Sequence, residues 1–309
     1  MTKPNSLLRG ICDSATLALA CVVFLSGCGK SGTQSSSGGG SEKKTTVANI
    51  GSDTMVNIAA AWAEAYGAVD KTVLIEVNGG GSGVGIKGLI NGTAEIANSS
   101  RHIEDKERAE LKEKRQLDAK EFIVGIDALS IYVHKDNPLN EITMEQLGEI
   151  YRSDGKITKW TELGVSSIPG GKGDEIIRVS RQNNSGTYEY FKEVVVGKRN
   201  EFKLGSLDMN GSKDVVELVG KTPNAIGYSG MGYANPSVKT IKVAKKKGDP
   251  YVAPSIATTQ DKSYPIARPM FVYTAGEPAP HLKKYIDWTL SEEGQKLLLS
   301  TGYVPVPKK

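Results

Sequence analysis

NGGGSGVGIKG (residues 78–88) carries six glycines in eleven positions. It follows the apolar run VLIEV (73–77) and leads into LING (89–92). Glycine is disfavoured inside helices and strands, and it suits places where backbone must approach something closely. The stretch therefore reads as the loop of a strand-loop-helix unit, with a short helix stopped at Asn91-Gly92.

The same unit occurs twice more. TTVANI (45–50) is a β-rich run, GSDT follows, and residues 55–66 carry apolar side chains at helical spacing: Met55, Ile58, Ala59, Trp62 and Tyr66. EIIRVSR (175–181) reads as a strand, QNNSG (182–186) as a loop, and TYEYFKEVVVG (187–197) as a helix ending at Gly197. Each unit sets Ser or Thr, with Gly or Asp nearby, at a helix start. The first N–H groups of a helix have no intrahelical partner, and the peptide dipoles leave about half a positive charge there. One such start is an ordinary N-cap. Three of them, with a glycine-rich approach and Arg181 ending one strand, point to convergence on one anion.

Two competing motifs fail. Gly83 to Gly88 matches GxGxxG after a strand, but so glycine-rich a stretch satisfies that pattern easily. A Walker A loop needs Ser or Thr after its Gly-Lys, and Lys87 is followed by Gly88.

The chain's beginning fixes an expected compartment. Lys3 and Arg9 precede a run from Ala15 to Leu25 that is apolar apart from Thr16, too short for a comfortable membrane span. Leu25-Ser26-Gly27-Cys28 resembles a lipobox. All three cysteines (Cys12, Cys21, Cys28) fall in this segment, so a processed chain keeps only Cys28, as a lipid attachment point. We expect a signal peptide over 1–27, a lipidated Cys28 with a flexible tether over 28–44, and anchorage by lipid alone. Roughly 265 residues lie beyond the tether, enough for two lobes with cores of their own. The net charge of +4 requires no polyanionic partner, and no aromatics interleave with the basic clusters at 112–115 and 244–248. Nucleic acid is not expected.

Catalytic machinery is not legible. His102, His134 and His281 are the only histidines, no HxH, HExxH or CxxC spacing exists, and Ser185 lacks a GxSxG elbow. No catalytic residue, metal or cofactor is expected. Micromolar capture needs about 8 kcal/mol, and a charge-assisted hydrogen bond nets roughly 1.5–3 kcal/mol, so several donors must share an anion.

At this point the residues resemble the phosphate-binding proteins of phosphate ABC transporters, the PstS family. The likeness runs from about Val47 to Pro307 through GSDTM (51–55), NGGGSGVGIKG, INGTAEIANSSR (90–101), residues 142–164, RQNNSGTYEYF (181–191) and NAIGYSGMGYA (224–234). It implies a two-lobed α/β fold of the type II periplasmic solute-binding class, with the ligand cleft between lobes. Lobe I is expected at 45–130 plus 240–309, and lobe II at 131–239. It also implies phosphate ligands at Thr54, Met55 and Ser82, at Ser100, and at Arg181, Ser185, Gly186 and Thr187. The implied partners are inorganic phosphate and the membrane permease and ATPase subunits of a transporter, met on the periplasmic side or outer surface of a cell membrane.

One departure bears on selectivity. The family's familiar members carry an aspartate that accepts the proton on phosphate, and that position here is Ser100, followed by Arg101. Asn183 also stands where those members have an acid. Asp53 is the candidate replacement acceptor and Arg101 a candidate second cation. The alternatives are the same fold holding sulfate, arsenate or molybdate, an extracytoplasmic phosphohydrolase, and a surface adhesin or sensor.

Overall fold

The computed structural model describes residues 44–307. The expected signal peptide, Cys28 and nearly all of the tether lie outside the described residues.

The chain runs β1 (Thr45–Gly51), α1 (Val56–Val69), β2 (Val73–Asn78), α2 (Ser82–Asn91), β3 (Ile96–Ser99), α3 (Asp105–Arg115) and the long β4 (Ala119–His134). It continues through β5 (Glu141–Thr143), α4 (Met144–Tyr151), β6 (Ile177–Arg181), α5 (Gly186–Phe191), β7 (Leu207–Met209), α6 (Ser212–Lys221) and β8 (Ala225–Gly230). The last part holds β9 (Val238–Thr240), β10 (Lys242–Ala244), α7 (Ile256–Gln260), β11 (Ala267–Ala275), α8 (Pro280–Thr289) and α9 (Glu292–Ser300).

Local sequence explains the principal elements. In α1, Ile58, Ala59, Trp62 and Tyr66 are all buried, as their spacing predicts. Gly92 stops α2 in the left-handed region at φ +77°, with its N–H on the Gly88 and Leu89 carbonyls. The helix expected over 187–197 is α5 followed by a π-helical turn, Lys192–Gly197, and Gly197 ends it at φ +94°.

The main sheet has the order β2-β1-β3-β11-β4-β8-β6-β7, with β9 on β4. β1 pairs in parallel with β2 and β3, and β6 pairs in parallel with β7 and β8. Two parallel blocks with intervening helices are thus joined by an antiparallel pair. β4 supplies the join: residues 119–128 pair with β11 and residues 129–133 with β8.

Two large cores follow from this arrangement. One gathers Val47, Met55, Trp62, Ile75, Val124, Met270 and Leu298. The other gathers Ile131, Leu147, Trp160, Phe191, Tyr228 and Ile266. The sequence placed the return to the first lobe at 240, but Ile241, Val243 and Tyr264 still pack in the second core. The reason is local: β10 pairs with β5, which lies in that half, and the crossing strand β11 begins only at Ala267.

Candidate functional site

Open parallel sheets hold ligands beyond the carboxyl ends of their strands. Here the segments after β1, β3 and β6 meet. Gly51 ends β1 at φ +148°, and a Cβ there would lie 2.1 Å from Asn98 O, so only glycine lets the two strand ends approach. Ser52 to Met55 follow. Tyr233 Oη donates to Asp53 O at 2.6 Å and to Thr54 O at 3.3 Å, and Tyr303 Oη also donates to Thr54 O. The Met55 N–H donates to Ser52 O at 2.9 Å while its side chain enters the first core.

The glycine stretch approaches protein on two sides. A Cβ on Gly85 would sit 2.3 Å from Ile50 O, which explains how α2 packs down on β1. A Cβ on Gly81 would sit 2.7 Å from Asn184 O. Asn184 belongs to the loop after β6. Its carbonyl accepts the Gly83 N–H at 3.1 Å, and its Nδ2 donates to Gly80 O at 3.0 Å. The glycines therefore let a loop of the second half dock on backbone of the first.

Beside that contact lies a cluster of buried hydroxyls. Ser52 Oγ donates to Ser100 Oγ at 2.9 Å, the Ser100 N–H donates to Ser82 Oγ at 3.0 Å, and the Ser82 and Ser100 hydroxyls are 3.3 Å apart. Gly186 faces them: its Cβ would lie 2.4 Å from Ser82 Oγ and 2.7 Å from Ser100 Oγ. Ser185 caps α5 by accepting the Thr187 N–H at 3.1 Å. Thr187 Oγ1 meets Thr54 Oγ1 at 2.9 Å.

Two guanidinium groups flank this cluster. Arg181 is fully buried. It donates to Met209 O, Asn210 O and Ser212 Oγ, and its Nη2 pairs with Asp53 Oδ2 at 3.0 Å. Burial pushes Arg181 below its usual value, and the charge of Asp53 opposes that shift. Asp53 Oδ1 also accepts the Gly80 N–H at 2.9 Å. The second guanidinium is Arg268 on β11, paired with fully buried Asp127 on β4 at 3.1 Å. Burial pushes the Asp127 carboxyl up, against the charge and hydrogen bonds of Arg268.

The structure thus brings together Asp53, Thr54, Ser82, Ser100, Arg181, Ser185, Gly186 and Thr187. Arg101 lies beside the cluster, lining the adjoining groove, but is committed to an acid. Both terminal nitrogens of Arg101 bond Glu107, each at 2.7 Å, and Nη1 also reaches His102 O. Glu107 sits in the first turn of α3, where a capping box already holds its carboxylate. Sequence reasoning missed Arg268 and Asp127. The available signal was a lone arginine inside the apolar run YPIARPMFVY (264–273), since a charge in such a strand needs a buried partner. His102 and Glu189 line a groove of ≈ 740 Å³ next to the cluster. Burial and neighbouring Glu104 push the Glu189 carboxyl up.

Chemically, the cluster offers hydroxyls, backbone amides at helix starts and two paired arginines. No nucleophile is poised against a base among these groups. Such a set can hold a small oxyanion by many hydrogen bonds.

Comparison with known proteins agrees with this geometry. Residues 35–293 match the model of the PBP superfamily domain. The chain is 33% identical over 273 residues to the phosphate-binding protein PstS of Pseudomonas aeruginosa, covering 85% of this chain and 84% of that one. It is 31% identical over 300 residues to the protein of the same name in Staphylococcus epidermidis, covering 95% and 88%. A Clostridium perfringens crystal structure, described as a phosphate ABC transporter substrate-binding protein with bound phosphate, superposes with a TM-score of 0.75. It shares 32% identity and covers 85% of this chain and 100% of that one. An ABC-type phosphate transport receptor from Vibrio cholerae superposes with a TM-score of 0.65 at 27% identity, covering 84% and 100%.

Proposed function

This chain belongs to the PstS phosphate-binding proteins of the PBP superfamily, and from that membership we propose that it captures inorganic phosphate and delivers it to an ABC transporter. The observation that carries the reading is the meeting of Thr54, Ser82, Ser100, Gly186 and Thr187 from four separate strand ends. Hydroxyls and helix-start amides from these residues, together with Met55 and Ser185, hold the phosphate oxygens. Arg181 supplies a guanidinium beside them. Asp53, already hydrogen-bonded to Arg181, supplies the acidic oxygen that phosphate's remaining proton meets.

Lobe I comprises residues 45–130 and the C-terminal segment, and lobe II the residues between. The two large cores support a division at the β4–β11 crossing. The protein is exported, cleaved before Cys28 and held at a membrane surface by lipid on that cysteine. It meets the permease and ATPase subunits there and catalyses no reaction itself.

Calorimetric titration of the chain from Thr45 with phosphate, sulfate and arsenate at two pH values tests the reading. Tight phosphate binding with sulfate silent is expected. Equal heats from sulfate would reduce the assignment to a general oxyanion binder, and silence to all three would remove it.

A further inference from the structure

Arg268 touches both halves of the hydroxyl cluster at once. Nη1 donates to Ser100 O at 2.8 Å and to Gly186 O at 2.8 Å. Nη2 donates to Thr187 Oγ1 at 2.8 Å and to Thr54 Oγ1 at 3.3 Å. Ser100 and Thr54 follow strands of the first block, whereas Gly186 and Thr187 open a helix of the second. Each nitrogen of the fork therefore bonds one residue from each side. The fork itself is fixed from behind, because Nε and Nη2 both donate to Asp127 Oδ2, at 3.3 Å and 3.1 Å. The guanidinium also lies 5.3 Å from the centroid of the Tyr190 ring.

The donor chemistry then sets a direction. A guanidinium only donates, and a hydroxyl has one hydrogen and two lone pairs. Nη2 has two hydrogens for three acceptors, so one faces Asp127 and the other is shared between the threonines, mainly on Thr187, and occupies a lone pair on each. Neither threonine can return its own hydrogen to the arginine. That hydrogen goes to the other threonine, 2.9 Å away, or to an anion. The carbonyls of Ser100 and Gly186 are fixed by the same group, which places the Ser100 hydroxyl and the helix start at Gly186.

We infer that Arg268, held by Asp127, is a positioning residue for anion binding: it aims the Thr54 and Thr187 hydroxyls as donors and keeps the two halves of the site in register. The inference rests on the phosphate reading above. Lysine cannot do this work, since a single ammonium cannot span four acceptors in a planar fork.

The test is a double-mutant cycle in phosphate affinity, measured by calorimetry on the chain from Thr45, which contains both cores entire. Thr187→Val in the native background is expected to weaken phosphate binding about tenfold. Arg268→Lys is expected to weaken it by at least as much. In the Arg268→Lys background, Thr187→Val is expected to cost no more than about threefold, because its hydroxyl is no longer aimed. If the two losses multiply in full, Arg268 is structural only and the inference fails. Unchanged affinity in Arg268→Lys overturns it as well. Should Arg268→Lys not fold, the Asp127→Asn/Arg268→Gln double variant removes both charges of the pair together. The same loss of coupling is expected there, and full multiplicativity again overturns the inference. A native protein silent to phosphate refutes the functional reading, an outcome separate from an additive cycle, and takes this inference with it.

Discussion

Asp53 Oδ2 lies 3.0 Å from Arg181 Nη2, although 128 residues separate the two in sequence. The pair joins the loop after β1 to the end of β6, so the acid that follows the first strand serves the cation of the other half. Asp53 is also the carboxylate next to the hydroxyl cluster that is not given over to Arg268. A carboxylate in this place repels a fully ionised oxyanion and accepts a hydrogen bond from one that keeps a proton. Asp53→Asn is expected to narrow the preference for phosphate over sulfate by at least tenfold in a competition titration, a difference of about 1.4 kcal/mol. Unchanged selectivity would transfer the acceptor role to Ser100 or abolish it.

Both arginines of the site are matched by aspartates, Arg181 by Asp53 and Arg268 by Asp127. An entering anion therefore meets little uncompensated charge, and fixed dipoles and hydroxyls do most of the holding. Contacts of this kind are short-ranged and buried, so mobile ions screen them weakly. Phosphate affinity is expected to change by less than about threefold between roughly 0.01 M and 1 M sodium chloride. A steep decline with salt would mean that long-range charge dominates.

The glycines divide into three kinds, and alanine substitution should separate them. Gly186→Ala drives a methyl against the hydroxyls of Ser82 and Ser100, across the meeting of the two halves. It should abolish phosphate binding and cost less stability than Gly85→Ala, because parting the two halves relieves the clash. Gly85→Ala meets backbone at Ile50 and should destabilise the fold by about 1–3 kcal/mol. Gly67, exposed in α1 with nothing within 4 Å of a new methyl, should gain about 0.5–1 kcal/mol. Chemical denaturation and calorimetry on the three variants check the pattern. It fails if Gly186→Ala binds normally.

Burial pushes the Tyr233 phenol up to about 12 from 10.0. A folded pKa above the unfolded one means that the stabilisation is complete below pH 10.0 and disappears as pH rises toward 12. Tyr233 holds the Asp53 and Thr54 carbonyls, and a phenolate cannot donate to them. Tyr233→Phe should melt below the native protein at neutral pH, and the gap should close between pH 10 and 12. No gap at neutral pH would show that the hydroxyl contributes nothing to the loop, and a gap that persists to pH 12 would show that its loss of a proton does not govern it.

What the sequence revealed depended on how locally each feature is encoded. The helix face of Ile58, Trp62 and Tyr66, the stop at Gly92 and the serine cap at Ser185 are short-range signals, and each appears in the structure, whereas α1 and α2 start at Met55 and Gly81 with no side-chain cap. The π-helical turn after α5 was invisible, because KEVVVG reads as ordinary helix and the extra residue per turn is decided by packing. Arg101 looked available since its partner Glu107 is six residues away on the next helix. Arg268 and Asp127 are 141 residues apart, and only the pairing of β4 with β11 brings them together. Long-range ion pairs of this sort leave no periodicity to read.

β4 and β11 are the strands on which both halves hang, and Asp127 and Arg268 sit where they cross from one core toward the other. Any rotation of one half against the other has its fulcrum near that pair. Atoms beside a fulcrum move little, while the far ends of α4 or α8 travel in proportion to their distance from it. An ion only a few ångströms across can thus be reported at the protein's outer rim as a displacement several times larger than its own contacts require.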